Sequence, residues 1–70
     1  MVQIFNEGPA IQPSTQTAIR NGAANYGVSG VVAKHVEQDG DDHVFNIFDE
    51  DGVYLFSIDT ADNNPFDGQI

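Results

Sequence analysis

The chain has 70 residues, 40% of them hydrophobic, and a formal net charge of −9 from 11 acidic and 2 basic side chains. A chain this short encloses one small core, and without cysteine it has neither a disulfide nor a thiolate-bound metal to stabilise that core. We therefore expect a single domain over residues 1–70, and the charge opposes direct binding to nucleic acid or to anionic membranes.

The first residues predict a short strand in a protein that is neither exported nor embedded in a membrane. Val2 and Ile4 favour the strand, which is expected to end at Gly8. The start of the chain lacks the basic region and apolar stretch of a signal peptide. No apolar run approaches the roughly 20 residues that a membrane helix needs. The expected location is therefore the cytoplasm.

A helix is predicted over about 15–25. The hydroxyl of Ser14 is the expected N-cap, and Gly27 stands where a helix stop is expected. The apolar face of this helix is narrow, so we expect the helix to depend on close contact with a sheet. That face consists of Ala18, Ile19, Ala23 and Tyr26.

The second half of the chain predicts a three-stranded antiparallel meander. Three segments are rich in β-branched and aromatic side chains, and glycine-containing turn sequences separate them. These strands are 28–37, 43–48 and 53–58. The acidic tail from Thr60 onward is rich in turn formers and is expected to be irregular, with Phe66 as a candidate anchor. The expected fold class is α+β, with the helix packed on the meander.

The pairing of the last two strands predicts which side chains form the core. If a four-residue loop closes the hairpin, Phe48 opposes Val53. The core face then carries Phe45, Ile47, Tyr54, Phe56 and Ile58. The other face carries Val44, Phe48, Val53 and Leu55 beside Asn46 and Ser57. This second face is more apolar than a solvated sheet face, so the first strand, the tail, a second copy or a partner should cover it.

The acidic residues are confined to one half of the chain. Residues 1–36 sum to +1, whereas residues 37–70 sum to −10. A meander places the first turn and the segment after the last strand at one end of the sheet, and the second turn about 20 Å away at the other end. The larger predicted cluster is Glu37, Asp39, Asp41, Asp42, Asp59 and Asp62, and the smaller is Asp49, Glu50 and Asp51. These nine residues are the predicted partner-binding site.

Metal binding and catalysis are weakly indicated. Starting from Asp39, the calcium-loop pattern requires glycine where Val44 stands, so the pattern fails. His35 and His43 flank the acidic turn and are expected to interact with nearby aspartates rather than to bind a metal. The three serines lack the context of a nucleophile, and a single layer of this size leaves little room for a cavity of about 300 Å³. We expect no cofactor, no metal and no enzyme.

By size and charge the chain resembles the small acidic inhibitors that phages and mobile elements encode, including anti-CRISPR proteins and DNA mimics. The resemblance rests on no motif. It implies a stoichiometric inhibitor that blocks a basic nucleic-acid-binding surface on a host protein complex, with carboxylates where phosphates would lie, in the cytoplasm of the host cell if a phage encodes it.

Three alternatives to this hypothesis stay open. The first is a structural or assembly protein, such as a small virion component or a subunit of a homo-oligomer, which would bury the second sheet face. The second is adaptation to high salt, in which the acidic residues serve hydration. The third is an enzyme. A homodimer is compatible with the first of these and with the apolar second face.

Overall fold

A five-stranded mixed sheet with one helix on one face forms the fold of residues 1–68, the part of the chain that the computed structural model describes. The strands follow chain order across the sheet, so each strand lies beside its neighbour in sequence. The elements are β1 (Gln3–Asn6), α1 (Pro13–Ala24), β2 (Gly30–Asp39), β3 (Asp42–Asp49), β4 (Tyr54–Asp59) and β5 (Pro65–Phe66).

The two edge strands enlarge the predicted sheet. β1 pairs with β2 in parallel, because the intervening helix returns the chain to the same end of the sheet. β2, β3, β4 and β5 pair successively in antiparallel fashion. The prediction of three sheet strands is therefore incomplete. The prediction of a wholly irregular tail is wrong, since Pro65–Phe66 forms β5, and residues 69–70 of that tail lie outside the described residues.

The helix begins two residues earlier than predicted. Pro13 occupies its first turn, where a missing N–H costs nothing, and the extended residue Gln12 precedes it without a side-chain cap. The prediction of Ser14 as N-cap is therefore wrong. The helix ends at Ala24, and Gly27 follows with a positive φ of 69°, in agreement with the predicted stop.

Close contact between helix and sheet occurs through small residues. Ile19 and Ala23 are fully buried, as predicted, whereas Tyr26 lies beyond the helix and is 52% exposed. Gly22 is also buried, and a Cβ atom added there would lie 2.8 Å from Cζ of Phe56. The helix therefore lies so close to the sheet that a larger residue at this position would force the Phe56 ring or the helix to shift.

The hydrophobic core lies between the helix and one face of the sheet. It contains Phe45, Ile47, Phe56 and Ile58, all predicted for the core face. The other core residues come from the helix, the segment before it and β2, and they are Ile11, Ile19, Ala23, Val31 and Ala33.

The second hairpin differs from its predicted register. Phe48 pairs with Tyr54, not with Val53, and Leu55 is an extra residue on β4 that forms a bulge. Val53 stays in the turn, where its N–H donates to Oδ1 of Asp49 and its carbonyl accepts the N–H of Asp49. Two assignments are therefore wrong. Tyr54 lies on the face opposite Phe45, and Leu55 packs against the core.

Candidate interaction surface

The sheet face opposite the helix, called the open face below, carries four of the nine residues predicted to bind a partner, namely Glu37, Asp39, Asp42 and Asp59. Cross-strand pairs place these residues in rows, because directly paired residues point to the same side of a sheet. At one end, Asp39 pairs with Asp42. The next row contains Glu37, Val44 and Asp59, since Val44 pairs with both acids. Carboxylates therefore occupy one end of this face.

The β2–β3 turn presents the most exposed acids. The residues from Glu37 to Asp42 are all exposed, and they lie on the longest hairpin of the sheet. Gly40, with φ of 62°, takes the first central position of the two-residue turn, as is typical of a type II′ turn. We call Glu37, Asp39, Asp41 and Asp42 the acidic tip.

The carboxylates of the acidic tip have no hydrogen-bond or ion-pair partner within residues 1–68. Asp39 and Asp42 moreover oppose each other directly, an arrangement that costs stability because like charges repel across a strand pair. The tip is therefore a surface whose charge the rest of the described chain does not neutralise.

Four of the other predicted acids have local structural roles. Asp49 accepts the N–H groups of Asp51 and Val53, while Asp59 and Asp62 each accept an N–H two residues further on. The side chain of Glu50 accepts the hydroxyl of Ser29. Aspartates in turns commonly bond their own backbone in this way, and that tendency could have identified three of the four.

The predicted acids thus divide by position and by role. The acidic tip and Asp59 share one end of the open face, and Asp62 follows β4 in a turn at that end. Asp49 ends β3, and Glu50 and Asp51 follow in the β3–β4 turn, about 20 Å away along β3. The structure therefore brings most of the larger predicted cluster together and separates it from the smaller one.

Polar side chains cross the middle of the open face. Ser57, which is fully buried, donates to Oδ1 of Asn46 at 2.7 Å, and its single proton is thereby used. The hydroxyl of Tyr54 lies 2.6 Å from the Ser57 oxygen and so donates to it, while the N–H of Gly68 donates to Tyr54. The tail thus covers one position of this face, Ser57, while β1 lies within the sheet and does not fold over the face.

An apolar row follows toward the β3–β4 turn. Phe5 pairs with Val32, Val32 with Phe48, and Phe48 with Tyr54, so four strands contribute to one row. Phe5 is 51% exposed, and Val32, Phe48 and Tyr54 are partly buried. The ammonium group of Lys34 lies 5.1 Å from the centre of the Phe48 ring, close enough for a cation–π contact.

The two histidines contact each other rather than the aspartates. Nε2 of His35 and Nδ1 of His43 are 3.0 Å apart, so one ring donates to the other. Both rings also pack against Phe45. Within residues 1–68, no group of three or more histidine or carboxylate side chains is placed to hold a metal ion. The prediction that these histidines interact with aspartates is not what the structure shows.

The structure has a cavity beside β4, although the sequence predicted little room for one. It has a volume of about 410 Å³ and opens where β5 ceases to pair with β4. We call it the aromatic notch, and its walls are Tyr26, Tyr54, Leu55, Phe56, Pro65, Phe66 and Asp67. These residues come from three separate segments of the chain, so no local sequence pattern predicts the cavity.

Comparison with known proteins gives no relationship: no protein-family model, curated protein or solved structure matches the chain. The described residues contain no helix that is long and apolar enough to cross a membrane.

Proposed function

We propose that the protein is a non-catalytic, stoichiometric inhibitor whose acidic tip occupies a basic, nucleic-acid-binding surface on a host protein complex. The proposal follows from the resemblance in size and charge to the small acidic inhibitors of phages and mobile elements, including anti-CRISPR proteins and DNA mimics. The carboxylates take the place of nucleic-acid phosphates, so binding of inhibitor and binding of nucleic acid exclude each other.

The observation that supports this proposal is the direct opposition of Asp39 and Asp42 at the end of an exposed hairpin. Solubility requires only net charge, which any scattered arrangement of acids supplies. A like-charged pair placed face to face lowers stability, and the repulsion is relieved when a cationic partner lies between or above the two groups. Binding therefore explains the arrangement better than solubility does.

Two parts of the open face would contribute differently to partner binding, one through long-range attraction and the other through short-range contact. The acidic tip, with Asp59 beside it, steers a basic partner and accelerates association, an effect that salt screens over about 10 Å. The apolar row around Phe48 and Tyr54 lies two rows further along the same face. Partly exposed aromatic side chains there supply short-range contact that salt does not weaken.

The decisive experiment is affinity capture from host lysate at low and high salt, followed by titration of the captured complex with nucleic acid. We expect a nucleic-acid-binding complex to be captured at low salt and largely released at high salt. Added inhibitor should abolish its nucleic-acid binding at a molar ratio near one, because occupancy is stoichiometric.

The triple variant Asp39→Lys, Asp41→Lys and Asp42→Lys provides the control for this mechanism. We expect it to capture the complex at least tenfold less well, since each change reverses one charge in the tip. A captured partner that binds the variant equally well, and whose binding ignores salt, would contradict the electrostatic mechanism.

A second function, a self-assembling structural protein, is favoured by the exposure of Phe5 at the end of the apolar row. Two copies that pack with their open faces together would bury this row. The same packing would add the negative charges of two acidic tips to one assembly, which repel each other. Sedimentation velocity at low protein concentration distinguishes the two functions. The inhibitor is expected to be a monomer, whereas a tight oligomer that persists on dilution would favour assembly.

A further inference from the structure

The aromatic notch has the composition of a cation-binding site. Four aromatic side chains line it, namely Tyr26, Tyr54, Phe56 and Phe66, and the acidic residue Asp67 is also part of its wall. The faces of aromatic rings carry partial negative charge and attract ammonium and guanidinium groups. A volume of about 410 Å³ lies within the usual range of ligand sites and accepts a long side chain.

Three of the four rings of the notch are held in place before any ligand binds, namely Tyr26, Tyr54 and Phe56. The hydroxyl of Tyr26 donates to the carbonyl of Leu55 at 3.0 Å, and the Tyr26 ring stacks on Phe56 with an angle of 18° between the planes. The hydroxyl of Tyr54 accepts the N–H of Gly68 and contacts Ser57. A preorganised cage loses little conformational entropy when a ligand enters.

Both basic side chains of the chain make contacts outside the residues that line this cavity. The chain has two basic side chains: Lys34 lies over Phe48, and Nε of Arg20 donates to the carbonyl of Val2. Tyr26 and Phe66 meanwhile remain 52% and 43% exposed. The notch also adjoins the start of β4, close in sequence to Asp51 in the β3–β4 turn, so the local field favours a positive ligand.

We propose that the aromatic notch binds an arginine side chain of the partner protein. Arginine fits better than lysine because its planar guanidinium group stacks on aromatic rings while its edge donates hydrogen bonds to carboxylate or carbonyl oxygens. The proposal relies on the proposed function for the source of the arginine, but the chemistry of the notch does not depend on the acidic tip.

The test is an NMR titration of the ¹⁵N-labelled protein with N-acetyl-arginine methylamide and, separately, with the neutral isostere N-acetyl-citrulline methylamide. We expect the arginine compound to shift resonances of Tyr26, Tyr54 and Phe66 with millimolar affinity. The citrulline compound should bind about tenfold more weakly, because it keeps the shape and loses the charge. Equal shifts with both compounds, or arginine shifts confined to the acidic tip, would overturn the proposal.

Matched variants separate ring chemistry from packing. Tyr26→Phe keeps the aromatic face but loses the hydrogen bond to Leu55, so it should bind arginine about twofold more weakly, whereas Tyr26→Leu, which also loses the ring, should bind about fivefold more weakly. Phe66→Leu is a second, independent variant with the same expected loss, and circular dichroism verifies that each variant is folded. Unchanged arginine binding in both leucine variants would refute the assignment.

The triple Asp→Lys variant tests arginine binding at the notch separately from the proposed function of the acidic tip. In the triple Asp→Lys protein, arginine binding at the notch is expected to stay within about twofold at 150 mM salt, because screening reduces the influence of charges about 20 Å away. If the triple variant loses partner capture but still binds arginine, the acidic tip governs capture and the notch binds arginine independently of it. If the unaltered protein captures its partner but does not bind the arginine compound, the assignment of the notch is refuted while the proposed function stands.

Discussion

Asp42→Lys is expected to stabilise the fold and to weaken partner binding at the same time. The substitution replaces the repulsion between Asp39 and Asp42 with an attractive cross-strand pair. Such pairs contribute roughly 0.5 kcal/mol, which corresponds to a rise of about 2–4 °C in the melting temperature of a domain this small. Because the same change reverses one of the four tip charges, the affinity for a basic partner should fall about tenfold.

Asp51→Lys is the matched control, with the same change in net charge in the opposite turn. The carboxylate of Asp51 has no partner within the described residues, and Asp51 has no cross-strand acid opposite it. Its reversal should therefore leave stability nearly unchanged and weaken binding about twofold at 150 mM salt. Thermal unfolding and a binding titration on both variants provide the measurements. Equal loss of affinity from both variants would show that net charge, not the acidic tip, governs binding.

The residues of the core face were predictable although their register was not. The predicted pairing set Ile47 opposite Tyr54, whereas Ile47 pairs with Phe56. The observed register differs from the predicted one by two residues at this position. Because side chains alternate with a period of two, such a shift leaves them on the face to which they were assigned. Phe45, Phe56 and Ile58 were therefore assigned correctly, because a period-two pattern determines faces more firmly than it determines partners.

The bulge at Leu55 is the reason that Tyr54 was misassigned. One extra residue on β4 reverses the alternation, so Tyr54 turns to the open face and makes edge contact with Phe48, with ring centres 5.7 Å apart. A residue from outside the hairpin also contacts the bulge, since the hydroxyl of Tyr26 donates to the carbonyl of Leu55. Tyr26 and Leu55 are 29 positions apart in the sequence, so the local pattern of neither segment predicts this contact.

The acidic tip was predictable because a local turn sequence places it. Asp39-Gly40 supplies the positive φ that a two-residue turn requires, and the neighbouring acids follow by alternation. The aromatic notch and β5 were not predictable in this way. Pro65 and Phe66 join the sheet through Ile58 and Ser57, and two paired residues are too few to give a periodic signal.

Gly22→Ala is expected to destabilise the protein although alanine is the better helix former. In an exposed helix the change stabilises by roughly 0.5–1 kcal/mol. Here the new methyl group would lie 2.8 Å from Cζ of Phe56, whose ring is 4% exposed and stacks on Tyr26, so the ring or the helix has to shift. Overpacking of this kind costs about 1–3 kcal/mol, so we expect a net loss near 1 kcal/mol and a melting temperature lower by about 4–8 °C.

Asn21→Ala is the matched control on the exposed side of the helix. Asn21 is solvent-exposed, so the substitution improves helix propensity without a new contact and should raise stability by roughly 0.5 kcal/mol. Opposite signs at adjacent positions would identify the approach of the helix to the sheet as the cause. A Gly22→Ala protein that melts higher than the unaltered chain would show that the helix can move outward at little cost.

A double-mutant cycle with Phe56→Leu assigns the effect to one pair of atoms. Leucine lacks the ring carbon that the added methyl group would contact. In the Phe56→Leu background, Gly22→Ala should therefore keep only its gain in helix propensity and become stabilising. The coupling energy should therefore be about 1 kcal/mol or more. Since Phe56 also stacks on Tyr26 in the wall of the notch, the cycle tests whether one close helix–sheet contact positions both the core and the cavity.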